Sequence, residues 1–137
     1  MPDPQRRPRG VLDTSALIDL EELDATLLPA EVAVSAVTMA ELAAGPHATS
    51  DPQERAMRQD RLQRAEAAFD PLPFDREAAR AYGRVYAAVA ESGRKARGAR
   101  SVDLLIAATA LASGLPLYTR NGDDFRALED LIEVIVV

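Results

Sequence analysis

Short apolar strand-like segments alternate with helix-like segments along the whole of this 137-residue chain, and that alternation constrains the fold more than any other feature. Residues 10–13 (GVLD) read as a first strand, followed at once by Thr14, Ser15 and a helical stretch through Leu20. Residues 32–35 read as a second strand leading into a helix over 38–44, which Gly45-Pro46 is expected to stop. Asp51-Pro52 cap and open a long charged helix to Phe69, with Leu62, Ala65 and Phe69 as its inward stripe. Asp75 caps another helix, in which Ala78, Tyr82, Val85 and Val89 recur at helical spacing before Ser92-Gly93 ends it. A helix over 101–113, a strand near 115–119, a short helix after Asn121 and a last strand over 133–137 complete the chain. Apolar strands separated by helices imply βαβ units and a parallel sheet covered on both faces. The expected fold is a single three-layer α/β/α domain over residues 1–137, with a mainly parallel sheet and a flexible basic extension at 1–9.

The charge balance sits awkwardly with one obvious function class. Sixteen basic against 22 acidic residues leave a net charge of −6, whereas nucleic-acid binders usually carry a basic footprint. Either the ligand is not nucleic acid, or the acids are gathered for a purpose of their own and the bases are local. The chain has no cysteine, which excludes disulfides and Cys-ligated zinc. Its N-terminus lacks the apolar stretch of a signal peptide. Asp103, Gly114 and Pro116 interrupt the most apolar run, which is too short to span a bilayer. A cytoplasmic protein with no membrane association is the expectation.

Ligands of open α/β sheets bind beyond the carboxyl ends of the strands, so the residues just after each strand matter most. Asp13 closes the first strand, and its alternative role is to cap the first helix. Glu41 lies in a helix whose neighbours Met39, Ala40, Leu42, Ala43 and Ala44 are all apolar, a pattern expected of a buried helix. There Thr38, Glu41 and Gly45 share one face, as if lining a cavity. Asp103 is the only charged residue from Ser101 through Thr119, in a helix that otherwise reads as core. A lone ionised carboxylate inside protein is costly unless it is paired or metal-bound. Thr119-Arg120-Asn121-Gly122-Asp123-Asp124 follows a strand, although such a stretch also makes an ordinary turn and cap.

Two carboxylates about 4 Å apart repel by roughly 4 kcal/mol at an effective dielectric near 20. Several together therefore call for a cation, and all-oxygen ligation suits Mg²⁺ or Mn²⁺. Such ions activate water and stabilise a leaving oxygen during attack on a phosphodiester. The missing positive footprint has a candidate in Arg94, Lys95, Arg97 and Arg100, four cations in seven residues running toward Asp103, with Arg120 as a further RNA contact. The sole histidine, His47, follows Gly45-Pro46 and reads as an ordinary loop residue.

The segments VLDTS (11–15), TMAEL (38–42) with Gly45, DLLIAA (103–108) and TRNGDDF (119–125) together resemble the PIN-domain nucleases, and more narrowly the VapC-type toxins of bacterial type II toxin–antitoxin pairs. The resemblance covers nearly the whole chain, with every motif in family order. It implies a PIN-like fold and a metal-dependent endoribonuclease that hydrolyses RNA phosphodiester bonds. It also implies that Asp13, Glu41, Asp103 and Asp124 form the catalytic and metal-holding quartet, with Asp123 possible in place of Asp124. Thr14 or Ser15 and Thr119 would add supporting hydroxyls, and Asn121 would orient a carboxylate. A homodimer is implied as well, together with a VapB-type antitoxin that inserts a segment into the site. The charged helix over 51–69 is a candidate part of the antitoxin clip.

Two other readings compete. Aspartate-based phosphoryl transfer also places Asp after a first strand. One such family, the haloacid dehalogenases, wants an acid where Ser15 stands; the other, the response regulators, wants a late lysine, and the only lysine here is Lys95. A PIN-like module that binds RNA or protein without cutting is the third reading, and a full set of four acids argues against it.

Overall fold

Four short strands make the central sheet: β1 (Arg9–Leu12), β2 (Glu31–Val34), β3 (Leu117–Thr119) and β4 (Val134–Val136). The computed structural model describes residues 6–93 and 99–137, with the backbone alone for Ala99 and Arg100. Every pairing is parallel and the order is β2-β1-β3-β4. The register sets Leu12 opposite both Val34 and Tyr118, and Thr119 opposite Val136. The chain leaves β1 toward one edge to make β2 and returns to its other side to make β3. The strand order therefore reverses between β1 and β3, which is where an open parallel sheet forms its binding crevice.

The helices are α1 (Thr14–Ile18), α2 (Ala36–Ala44), α3 (Pro52–Ala68), α4 (Arg76–Glu91) and α5 (Ala99–Ser113). Alternate residues of each strand face opposite ways, so the sheet feeds two cores. Val11, Ala33 and Leu117 pack against Val85 and Val89 of α4, Ile106 and Ala107 of α5, and Phe125. On the other face Leu12 and Tyr118 meet Ala16 of α1, while Val34 packs with Leu17, Leu42 of α2 and Ala65 of α3. The three-layer α/β/α arrangement read from the sequence is the one observed. Among the described residues no helix is long and apolar enough to cross a membrane.

Local sequence explains most element ends. Asp75 accepts a hydrogen bond from the Ala78 amide at 3.0 Å and starts α4, whose buried Ala78, Ala81, Val85 and Val89 make one stripe. Gly93 (φ 79°) and Gly114 (φ 66°) follow the ends of α4 and α5 in the left-handed region, where a side chain is strained. The edge of β2 is partly closed by Leu72, which bridges Ser35 and exchanges backbone bonds with Val34 and Ala36 at 2.9 and 2.7 Å. Pro71 and Pro73 flank that bridge and prevent it from growing into a full strand.

The α-helix α2 ends at Ala44 with Gly45 as its C-cap, where Gly45-Pro46 is expected to stop it, and a 3-10 turn (Gly45–Ala48) follows. Proline lacks the amide for another α-helical bond, yet its φ suits the turn. Arginines of α3 take the carbonyls left over, Arg58 at Gly45 (2.9 Å) and Arg55 at Pro46 (3.1 Å). Two sequence expectations need correction. First, the basic extension is anchored from Arg6 onward. Arg6 donates to the Leu28 and Pro29 carbonyls, Arg7 pairs with Glu133, and Arg9 already belongs to β1. Second, α2 is not buried all round, because Ala40, Ala43 and Ala44 are exposed and only Thr38 and Leu42 are buried. Alanine is apolar enough to read as core and small enough to leave on a surface.

Candidate active site

Asp13 follows β1 at the reversal point and is 3% exposed. A buried carboxylate is tolerable only when hydrogen-bonded or paired with a cation, and Asp13 is amply bonded. Oδ1 accepts from the Ser15 hydroxyl (2.7 Å) and the Ala16 amide (2.9 Å), while Oδ2 accepts from the Thr119 hydroxyl across the sheet (2.5 Å). Asp13 therefore is the cap of α1, and it faces the crevice as well. Its two possible roles are compatible: the cap bond fixes one oxygen, and the β1–β3 register brings Thr119 to the other. A carboxylate has about four lone-pair positions, so these three bonds leave room for one further partner.

Two hydroxyl relays extend from this point. On one side the Asn121 amide donates to Thr119 Oγ1 at 3.0 Å, and Asn121 Nδ2 donates to Asp124 Oδ2 at 2.8 Å. On the other, the Thr14 hydroxyl donates to Glu41 Oε1 and lies 3.2 Å from Thr38 Oγ1. Thr38, fully buried, is held in turn by Ser35, which caps α2 through the Thr38 amide at 3.0 Å. Thr14, Ser15 and Thr119 thus each donate a hydroxyl hydrogen bond to a carboxylate. Ser35 was missed by the sequence reading. Its signal was a Ser three residues before Thr38 at a strand-to-helix junction, a capping pattern.

The two adjacent aspartates differ. Asp124 is half-buried and oriented by Asn121, whereas Asp123 is exposed and paired with Arg126. Asp103 sits in the second turn of α5, half-buried and engaged in interactions of its own, so the deep burial expected of it is not observed. A position near the start of a helix lets its carboxylate reach the surface while Leu104 and Ile106 fill the core. Among the described residues, no three acidic or histidine side chains converge as a ready metal-holding group. The sequence expectation of one tight acidic cluster is corrected to that extent. Asp13, Glu41 and Asp124 are instead each tied to a hydroxyl or amide of its own, and such separation lessens their mutual repulsion.

The donor set still fits a hard divalent cation. It consists of carboxylate and hydroxyl oxygens; the only histidine, His47, is exposed on the turn after α2. Oε2 of Glu41 and Oδ1 of Asp124 accept no hydrogen bond from a described residue. Open oxygens of this kind suit Mg²⁺ or Mn²⁺ rather than zinc.

Arg120 pairs with Asp19 at 3.4 Å and gives its backbone amide to Ser15, so it braces the site besides facing solvent. Arg94, Lys95 and Arg97 lie outside the described residues, as does the side chain of Arg100.

A parallel α/β/α domain with hydroxyl-braced carboxylates at its reversal point defines the class of protein. The PIN domain family model matches residues 10–131, and the chain belongs to that family. It is 41% identical over 131 residues to ribonuclease VapC5 of Mycobacterium tuberculosis (strain ATCC 25618 / H37Rv), with 93% of each chain covered. Among solved structures it resembles VapBC-5 of Mycobacterium tuberculosis, a member of the VapBC family of toxin–antitoxin systems. That match has a TM-score of 0.83 and 42% identity, over 95% of this chain and 99% of the other. It also resembles FitAcB of Neisseria gonorrhoeae, at a TM-score of 0.69 and 26% identity over 91% and 95% of the two chains.

Proposed function

We propose that this chain is a VapC-type PIN ribonuclease, the toxin of a toxin–antitoxin pair, and that it cuts RNA internally with the help of a divalent cation. The buried Asp13, clamped between Ser15 and Thr119 at the sheet's reversal point, is the observation that carries the reading. Asp13, Glu41, Asp103 and Asp124 are the residues that would hold Mg²⁺ or Mn²⁺. When bound, the ion supplies a nucleophilic water at neutral pH and positive charge for the phosphate oxygens.

The residues of the chain do the rest. Ser15, the Ala16 amide and Thr119 keep Asp13 in one orientation, so no side-chain freedom need be lost as substrate arrives. Thr14 fixes Glu41 while leaving Oε2 free to accept a proton from an attacking water. Asn121 sets Asp124 on the opposite side, linked through Thr119 to Asp13. The acidic set then meets an anionic RNA only when a cation stands between them, which reconciles the charge of −6 with the substrate. A VapB-type antitoxin is the partner this reading implies, and the cytoplasm its compartment. The homodimer and the clip role of the charged segment containing α3 belong to the same proposal.

The test is cleavage of total cellular RNA by the purified protein with Mg²⁺, with Mn²⁺ and with EDTA, alongside Asp103→Asn. Discrete internal cuts are expected with metal; EDTA and the substitution should each remove them. Cutting that persists in EDTA would overturn the metal dependence. A wild-type preparation that is free of antitoxin, fully folded and inert would overturn the nuclease reading.

The adjacent aspartates give a finer test. Asp124→Asn should lower the cleavage rate at least tenfold more than Asp123→Asn, because only Asp124 is oriented by Asn121. Single-turnover rates on one RNA decide it, and equal losses would sink the assignment.

A further inference from the structure

Thr38 is fully buried in α2, where a valine of nearly the same shape would avoid burying a hydroxyl. A threonine inside a helix can give its hydroxyl to the carbonyl four residues back, as Thr109 of α5 does to Leu105 at 3.0 Å. Thr38 makes no such bond. The carbonyl four residues back is that of Val34, and it accepts from the Leu72 amide at 2.9 Å. Thr38 Oγ1 stands instead between two other hydroxyls, 3.2 Å from Thr14 of α1 and 3.3 Å from Ser35, itself fully buried just after β2.

Counting hydrogens gives this chain a direction. A carboxylate only accepts, so Thr14 gives its single hydroxyl hydrogen to Glu41. The contact between Thr14 and Thr38 then takes the Thr38 hydrogen, and the contact between Thr38 and Ser35 takes that of Ser35. Ser35 Oγ meanwhile accepts from the Thr38 amide at 3.0 Å. The order Ser35, Thr38, Thr14, Glu41 therefore uses all three hydroxyl hydrogens. In keeping with it, no buried side-chain oxygen or nitrogen among the described residues lacks a partner. A hydroxyl that accepts a bond becomes a better donor, so the chain strengthens toward the carboxylate.

We propose that Thr38 is a positioning residue for RNA cleavage, whose hydroxyl keeps that of Thr14 aimed at Glu41 Oε1 and so keeps Oε2 open. The proposal rests on the nuclease reading and adds a residue to it. A threonine side chain has three staggered positions, and Thr14 is only half-buried, so without Thr38 its hydroxyl can turn to water. Thr14 adjoins Asp13 at the start of α1, whereas Glu41 belongs to α2. The buried hydroxyl thus helps to fix how two carboxylates on different helices stand to each other.

Thr38→Val and Thr38→Ser test it, each measured for kcat and KM on one RNA and for its urea midpoint. Thr38→Val removes the hydroxyl but keeps the shape and the backbone bond to Ser35. Its kcat should fall about fivefold with KM nearly unchanged, because Glu41 acts on the attacking water rather than in holding RNA. Thr38→Ser keeps the hydroxyl and loses a buried methyl group, so it should be the less stable variant and the more active one. A purely structural role would rank the two by stability instead. Thr38→Ala supplies a second loss of the hydroxyl should Thr38→Val fold poorly. In a Thr14→Val background Thr38→Val should have no further effect on kcat, since the chain is already cut there. The proposal is overturned by unchanged kcat in the folded variants that lack the hydroxyl, by Thr38→Ser proving less active than Thr38→Val, or by an equal further loss in the Thr14→Val background. Any of these with a wild type that cuts RNA leaves the nuclease reading standing; a folded, antitoxin-free wild type that is inert fails that reading itself.

Discussion

Asp13→Asn is expected to lower RNA cleavage by about a thousandfold while the protein stays folded. A bound cation contributes several kcal/mol of transition-state stabilisation, and about 4 kcal/mol corresponds to three powers of ten in rate. Asparagine has the same shape and can still accept from Ser15 and the Ala16 amide with its one carbonyl oxygen. Its amide would face the Thr119 hydroxyl, which can rotate from donor to acceptor. Most of the bonding therefore survives, at a stability cost of about 1–2 kcal/mol, while the negative charge is lost. Single-turnover cleavage in Mg²⁺, with circular dichroism and a urea midpoint on the same sample, separates the two effects. A folded variant that cuts within tenfold of wild type would remove Asp13 from the chemistry.

The same geometry shows what the sequence could reveal and what it could not. The strand–helix alternation carried the layer architecture, because a strand buried on both faces must be apolar throughout, as VLD after Gly10 and LYT before Arg120 nearly are. The places after strands where carboxylates occur were legible for the same topological reason. The pairing of β1 with β3, and hence the Asp13–Thr119 bond, joins residues 106 apart in sequence, and no local pattern encodes it. Nor could periodicity tell that Ala40, Ala43 and Ala44 would lie outside, since alanine satisfies either environment. For Asp103 a run of apolar neighbours suggested deep burial, but a helix turns 100° per residue and can present one position outward from an otherwise buried run. The Asp123 and Asp124 ambiguity needed three dimensions. Only the turn after β3 shows which of the two Asn121 holds and which Arg126 takes.

Phe125→Ala should cause the largest loss of stability of any single substitution at the site, about 3–5 kcal/mol. Phe125 is fully buried, and its ring packs in the core shared by β1, β3, α4 and α5. Truncation loses the transfer free energy of the ring and leaves a void that short, parallel strands cannot close by shifting. Folded domains have a margin of only about 5–15 kcal/mol, so the midpoint of thermal unfolding should fall by roughly 10–20 °C. The consequence reaches the chemistry, because Phe125 is the residue after Asp124 in the 3-10 turn Gly122–Leu128. With its anchor removed, that turn loosens and the Asn121–Asp124 bond at 2.8 Å loses its fixed geometry. Cleavage measured well below the new midpoint should therefore fall by more than the folded fraction accounts for. Phe125→Leu, which keeps most of the volume, should restore most of both. Loss of stability without that extra loss of rate would mean that Asp124 is positioned by Asn121 alone, and that the core beneath it contributes nothing to the site.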